Sequence, residues 1–197
     1  MYNIIKRIDN INSNYITLYT CFDKNTVIKH IGKIPGEIDA DYVEFLKGTN
    51  GASILDYCFF GVKNNKLGGN VYNIMTELWL GDNDLALRFW GIAASSTGEY
   101  FGYLDKKNKS GGHYIGYYSS DKPGKVYLVA SSFSIFMNKF ITQIECELSR
   151  DSKIIGLNNN DWFMNIKSLI TNDSEISDFV NLHKGTEYLS IIMKNKM

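Results

Sequence analysis

Apolar side chains recur at the spacing of an α-helix in two stretches of the chain. Around the helix predicted over 39–47 they fall, from the residue just before it, at the i, i+4, i+7 and i+8 positions that share one helix face. These residues are Ile38, Tyr42, Phe45 and Leu46. Asp39 lies at the positive end of this helix, and Gly48 can adopt the left-handed conformation that often closes a helix. Over 132–148 the helical period persists for four turns, which predicts a long amphipathic helix.

Two shorter helices are marked by residues that can accept hydrogen bonds from the free N–H groups of a first turn. A helix over 23–31 can be capped by Asp23 or Asn25, and a helix over 71–80 can be capped by Asn70. All four helices lie outside the segment in which aromatic and β-branched residues are densest.

That segment, together with a shorter one before it, predicts β-strands because its apolar runs are separated by glycine-containing turns. The predicted strands cover 54–55, 58–60, 87–93, 100–104, 114–118 and 126–129. Helices first, then strands, then helices again indicate an α+β fold, since the strict alternation of a parallel α/β sheet is missing. Apolar-periodic segments around 162–170, 176–182 and 188–193 predict a helical C-terminal extension packed on the main domain.

Composition narrows the classes of protein to consider. The 197 residues contain 44% hydrophobic and 21% charged side chains, which excludes wholesale disorder. Lys and Arg number 21, equal to Asp and Glu, so a dedicated nucleic-acid binder is not expected. No run approaches the ~20 apolar residues that span a bilayer. The odd number of cysteines suits a reducing compartment, and we expect a cytoplasmic protein without a membrane or nucleic-acid partner.

The sequence contains none of the common catalytic motifs that we sought. G-x-S-x-G, G-x-x-x-x-G-K-[ST] and G-x-G-x-x-G are all absent. His30, His113 and His183 are far apart, and none has a Cys or His at ligand spacing, so neither a metal nor a cofactor is predicted. His113 could act as a loop base, but we interpret it as a solvated residue of a hairpin. We therefore expect no enzyme.

An aromatic residue and several carboxylates cluster where the helix over 71–80 ends. Asp82 and Asp84 resemble part of a calcium loop, but the ligand spacing and the terminal Glu are missing. The simpler interpretation is a polar loop with Trp79 in the core. As a binding surface, Trp79, Asp82 and Asp84 would be central, with Glu77 and Asp56 at the rim.

The run over 34–51 resembles the signature of the SUKH superfamily, which includes fungal Smi/Knr-type cell-wall synthesis regulators and many bacterial proteins. The matching elements are Asp41-Tyr42, Phe45-Leu46, Asn50-Gly51 and, downstream, an aromatic residue before Phe60-Gly61. The resemblance covers about 24–148, which leaves 1–23 as an N-terminal extension and 149–197 as the C-terminal one. Tyr42, Phe45, Leu46, Asn50, Gly51, Phe60 and Gly61 form the expected structural motif.

The resemblance implies a mostly antiparallel sheet flanked by helices and a binding role without catalysis. Many bacterial members look like immunity proteins that neutralise a cognate toxin domain, often a nuclease or a deaminase. Our leading hypothesis is such an immunity protein. The alternatives are a regulatory scaffold for cell-wall synthesis or signalling proteins, and a small-ligand-binding domain.

Overall fold

The computed structural model describes residues 1–11, 14–64, 69–121, 123, 126–150 and 173–176. The helices are α1 (Tyr2–Asn10), α2 (Lys24–Ile31), α3 (Ala40–Gly48), α4 (Val71–Gly81) and α5 (Phe133–Arg150), with a 3₁₀ turn at Asn83–Leu85. The strands are β1 (Ile16–Leu18), β2 (Ala52–Ile54), β3 (Tyr57–Phe59), β4 (Phe89–Ser95), β5 (Glu99–Lys107), β6 (His113–Ser119) and β7 (Val126–Ala130).

The strands form a seven-stranded sheet in the order of the sequence. Each strand is antiparallel to the next, from β1 with β2 to β6 with β7. This arrangement confirms the predicted α+β fold with a mostly antiparallel sheet. Of the predicted C-terminal extension over 149–197, the structure describes 149–150, which end α5, and 173–176, which include a helical turn. The predicted helices over 162–170 and 188–193, and the part of the third over 177–182, lie outside the described residues.

One face of the sheet carries the main core, which α1, α3 and α5 cover. The ring of Phe133 on α5 lies edge-on to Tyr42 and Phe45 of α3, with centroids 5.5 and 5.6 Å apart. Phe140, one turn further along α5 than Phe136, packs edge-on against Phe59 of β3 at 5.3 Å. The apolar stripes that the sequence predicts on α3 and α5 therefore meet over the sheet.

The opposite face carries a second, smaller core. Its buried members are Leu78, Leu85, Phe89, Leu104, Tyr114, Tyr118, Val126, Leu128 and Ile176. Three glycines directly opposite one another, Gly91, Gly102 and Gly116, cross β4, β5 and β6. A Cβ on Gly102 would lie 2.6 Å from the ring of Phe89, and one on Gly116 would lie 2.5 Å from a methyl of Val126. The glycine row thus leaves room for these side chains to lie against the sheet.

The predicted helix starts are confirmed by their caps. At the start of α2, the Asp23 side chain accepts a hydrogen bond from the main-chain N of Thr26 at 3.0 Å. At the start of α3, the Asp39 side chain accepts from the main-chain N of Asp41 at 2.9 Å and of Tyr42 at 3.1 Å. At the start of α4, the Asn70 side chain accepts from the main-chain N of Asn73 at 3.0 Å. These bonds satisfy N–H groups that have no partner within the helix.

The predicted left-handed cap at Gly48 is wrong. Gly48 is the last residue of α3, and the cap is Thr49 in an extended conformation. The Thr49 hydroxyl donates to the carbonyls of Tyr19 and Gly51, which fixes the chain as it leaves the helix. Gly51, with φ 86°, makes the left-handed turn instead.

The N-terminal residues contribute two elements that we did not predict. Helix α1 buries Ile4 and Ile8, and its Arg7 forms an ion pair with Glu145 of α5 at 2.6 Å. Strand β1 extends the sheet by pairing with β2. The division of the chain at residue 23 stays a prediction, although β1 on its N-terminal side belongs to the sheet. In the described part of the chain, no helix is both long and apolar enough to cross a membrane.

Candidate functional site

The C-terminal end of α4 holds most of the residues predicted to bind a partner. Trp79 is half-buried beside both cores, and its indole Nε1 donates to the Phe89 carbonyl at 2.8 Å. Its ring lies edge-on to Trp90, with centroids 5.9 Å apart. Trp79 therefore fastens the end of α4 to the start of β4, in keeping with the simpler interpretation from the sequence.

The loop after Trp79 is organised by its own carboxylates. Asp82 Oδ1 accepts from Asp84 N at 3.1 Å, and Asp82 Oδ2 accepts from the Tyr118 hydroxyl at 3.1 Å. Burial of the phenol and the neighbouring Asp82 carboxylate raise the pKa of Tyr118 to about 12. The carboxylate of Asp82 thus fixes the turn on β6, and Glu77 points outward from α4 as an exposed side chain.

Asp56 lies away from the other four predicted residues. It occupies the turn between β2 and β3, next to Tyr57, which pairs with Ser95 at the end of β4. Trp79 bonds to Phe89 at the start of β4, so the length of this strand, about 20 Å, separates the two places. Partial burial and, less strongly, Glu99 raise the pKa of Asp56.

Exposed apolar side chains on α4 and in the loop after it were not predicted from the sequence. Leu80 is 77% exposed, Leu87 is 54% exposed and Tyr72 is 42% exposed. Tyr72, Thr76 and Leu80 follow one another at four-residue intervals, so they share the outer face of α4. Leu87 has φ 58°, a conformation that non-glycine residues rarely adopt. We call Tyr72, Thr76, Glu77, Leu80, Asp82, Asp84 and Leu87 the α4 surface.

His113 is buried, which corrects our interpretation of a solvated hairpin residue. It is 4% exposed because β6 begins there and places it against β5. Its main-chain N donates to Asp39 Oδ2 at 3.0 Å, and its Nδ1 lies 2.6 Å from the Leu104 carbonyl. A carbonyl can only accept, so Nδ1 carries the proton. Nε2 and the neighbouring Tyr103 hydroxyl have no hydrogen-bond partner within the described part of the chain.

His113 also lines a cavity of about 430 Å³ between the starts of α3 and α5. The β5–β6 turn closes one side of the cavity, and Glu175 contributes to its wall. Glu37, Asp39 and Asp41 line it from the start of α3. Lys107 pairs with Glu37 at 2.6 Å and thereby lowers the pKa of that carboxyl. This volume suits a small molecule, and the carboxylates favour a cationic group.

Among the described residues, no group of three or more His, Cys, Asp or Glu side chains could hold a metal ion.

A family model, the SMI1 / KNR4 family (SUKH-1), matches residues 13–139 of the chain. The chain belongs to the SMI1 / KNR4 family. The match confirms the resemblance to the SUKH superfamily seen in the sequence. A search of the curated proteins finds no match to the chain.

The seven motif residues that carry the SMI1 / KNR4 resemblance are all buried. The Tyr42 hydroxyl donates to the Phe60 carbonyl at 3.0 Å. The Asn50 amide bridges the main-chain N and O of Lys63, both at 3.2 Å, and a Cβ on Gly61 would lie 2.3 Å from Asn50 O. These contacts join the turn after α3 to the chain after β3.

Proposed function

We propose that this member of the SMI1 / KNR4 family is a non-enzymatic immunity protein, which binds a cognate toxin domain and neutralises it. The observation that supports this proposal is the exposure of Leu80 and Leu87 beside Glu77, Asp82 and Asp84. Apolar side chains ringed by polar groups are typical of a protein interface, in which a few desolvated residues dominate the binding energy.

In this proposal, Leu80 and Leu87 are the apolar anchors of the interface, and Tyr72 extends it along α4. Trp79, next to Leu80 in the chain, fixes the end of α4, because its indole is bonded to Phe89. This assignment differs from our sequence-based one, in which Trp79 was central. A rigid platform lowers the entropic cost of ordering the surface when the partner binds.

The carboxylates of the α4 surface favour a toxin with a basic surface. Opposite charges speed the encounter of two proteins, and salt weakens this effect. A nuclease or a deaminase with a basic substrate cleft would meet this condition. Asp56 stays a predicted rim residue, and its distance from Trp79 requires an interface of at least standard width.

Co-expression with a toxin domain encoded by a neighbouring gene tests the proposal. We expect cells that produce the toxin domain to survive with this chain and to die with an empty vector. If the cells die equally in both cases, the chain is not the immunity protein for that toxin. A scaffold for cell-wall synthesis or signalling proteins would also fail to protect, and would instead co-purify with such proteins.

The cavity beside His113 supports a second candidate, the binding of a small cationic ligand. A thermal-shift screen of amines, nucleotides and sugars tests it, because a ligand that binds only the folded state raises the melting temperature. This function would be supported if an amine raises the melting temperature and if Asp41→Asn makes that rise smaller. No shift with any compound would count against it.

A further inference from the structure

The segment 173–176 is held by two carboxylates that accept hydrogen bonds from the main domain. Asp173 Oδ2 accepts from Ser131 N at 2.8 Å and from Lys139 Nζ at 3.3 Å. Glu175 Oε1 accepts from Lys109 N at 2.5 Å and from the Tyr114 hydroxyl at 3.2 Å. The donors come from the end of β7, α5, the β5–β6 turn and β6. We call them together the donor groove.

The segment adds one apolar contact to these polar ones. Ile176 is fully buried and belongs to the second core, together with Tyr114 and Leu128. Asp173 Oδ1 also accepts from Ile176 N, which caps the helical turn and fixes the spacing of the three side chains. The recognised pattern is therefore acidic, any residue, acidic, aliphatic.

The donor groove is organised by residues outside the segment. Asn108 Nδ2 donates to the Ser131 carbonyl at 2.6 Å, and Asn108 Oδ1 accepts from Ser110 N and Gly112 N, both at 2.9 Å. Asn108 thus joins the β5–β6 turn to the start of α5 and positions the main-chain donors of both. A buried N–H group such as that of Ser131 is costly without an acceptor, and Lys139 Nζ beside it favours a charged acceptor, so the groove suits a carboxylate.

The segment 173–176 is connected to the donor groove only through a long stretch of chain. The 22 residues of 151–172 separate it from the end of α5. A tether of this kind raises the local concentration of the segment without adding contacts. A separate peptide with the same side chains can therefore make the same contacts with the donor groove and compete with the segment for it.

We propose that the donor groove is a peptide-binding site, which Asp173 to Ile176 occupy within the chain and from which a partner protein displaces them. The partner presents the pattern acidic, any residue, acidic, aliphatic. The Asp173 and Glu175 carboxylates stand in for those of the partner. Displacement also removes Glu175 from the wall of the cavity beside His113.

The test uses the full chain carrying Asp173→Asn with Glu175→Gln, and a fluorescent peptide of residues 171–178. We expect the variant to bind this peptide at least tenfold more tightly than the unaltered chain, whose own segment competes. The peptide should also raise the melting temperature of the variant. A control peptide with Asn and Gln at the two acidic positions should bind neither chain.

Three results would overturn the proposal: no binding to the variant, equal binding to both chains, or equal binding of the control peptide. The single variant Glu175→Gln retains the Asp173 contacts and replaces the double variant if that variant does not fold. Its affinity for the peptide should lie between those of the unaltered chain and the double variant.

In the unaltered chain, the Ser131 amide should exchange hydrogen faster than the amides at the centre of β5. Exchange of Ser131 only by global unfolding would show that the segment is an integral part of the core.

Discussion

Gly51 is constrained in two ways, by its backbone conformation and by a close neighbour. Its φ is 86°, and a Cβ there would lie 2.2 Å from the Phe59 carbonyl oxygen. Gly111 has nearly the same φ, 85°, but nothing lies within 4 Å of its would-be Cβ. A comparison of the same substitution at the two glycines therefore separates the cost of the left-handed backbone from the cost of the steric contact.

We predict that Gly111→Ala lowers the free energy of unfolding by about 1 kcal/mol, the cost of a left-handed alanine. Gly51→Ala should lower it by about 3 kcal/mol or more, because the backbone must also move away from Phe59. Urea unfolding of the two variants measures the difference. Equal losses would mean that the close approach of Gly51 to Phe59 contributes nothing.

The buried Tyr42 hydroxyl gives a second prediction at this scale. Tyr42→Phe retains the ring but leaves the buried Phe60 carbonyl without its donor, which should cost about 1–2 kcal/mol of unfolding free energy. Tyr72→Phe is the matched control, since Tyr72 is exposed and the change there should stay within about 0.5 kcal/mol. Similar unfolding free energies for the two variants would contradict the prediction.

Among the elements, the turn after α4 is held on β6 by the bond from the Tyr118 hydroxyl to Asp82. The pKa of Tyr118 is raised to about 12, above the value of about 10 in an unfolded chain. The folded state therefore retains this proton while the unfolded state loses it. The resulting stabilisation is complete below about pH 10 and disappears as the pH rises to about 12.

We predict that the unaltered chain loses about 1 kcal/mol more unfolding free energy between pH 9 and pH 11 than Tyr118→Phe does. Urea unfolding at the two pH values gives this difference, in which the contributions of the other tyrosines cancel. Identical losses would show that the Tyr118 proton is not coupled to folding.

Elements with local signals could be predicted from the sequence, and those that depend on distant partners could not. The starts of α2, α3 and α4 follow from caps within three residues of the helix. Strand β1 is only three residues long and exists because β2, more than thirty residues later, pairs with it. Helix α1 likewise depends on α3 and α5, which it contacts.

The candidate site at the end of α4 stays a prediction, and the sequence does not indicate its exposed apolar residues. The end of α4 was identified from its aromatic residue and carboxylates, yet the exposure of Leu80 depends on which helix face packs on β4. Trp79 is predicted as an anchor because it is aromatic, and the structure adds that its indole Nε1 donates to the Phe89 carbonyl. His113 was misjudged because its burial results from the pairing of β6 with β5 and from Asp39, which is 74 residues away.

At the scale of the whole molecule, the two faces of the sheet are occupied by two cores. The seven residues of the family motif are buried, and their contacts join α3 and the turn after it to the chain after β3. We therefore assign function to the outer surfaces, and among the described residues the α4 surface carries the most exposed leucine, Leu80. Ile28 on α2 is 57% exposed and provides a matched apolar residue elsewhere.

The most direct test of this account is the affinity of the purified chain for a toxin domain encoded by a neighbouring gene. We predict that Leu80→Glu with Leu87→Glu weakens binding at least about a hundredfold, because both apolar anchors are lost. Ile28→Glu should leave the dissociation constant within about twofold of the unaltered chain. A double variant that binds as tightly as the unaltered chain would contradict the account.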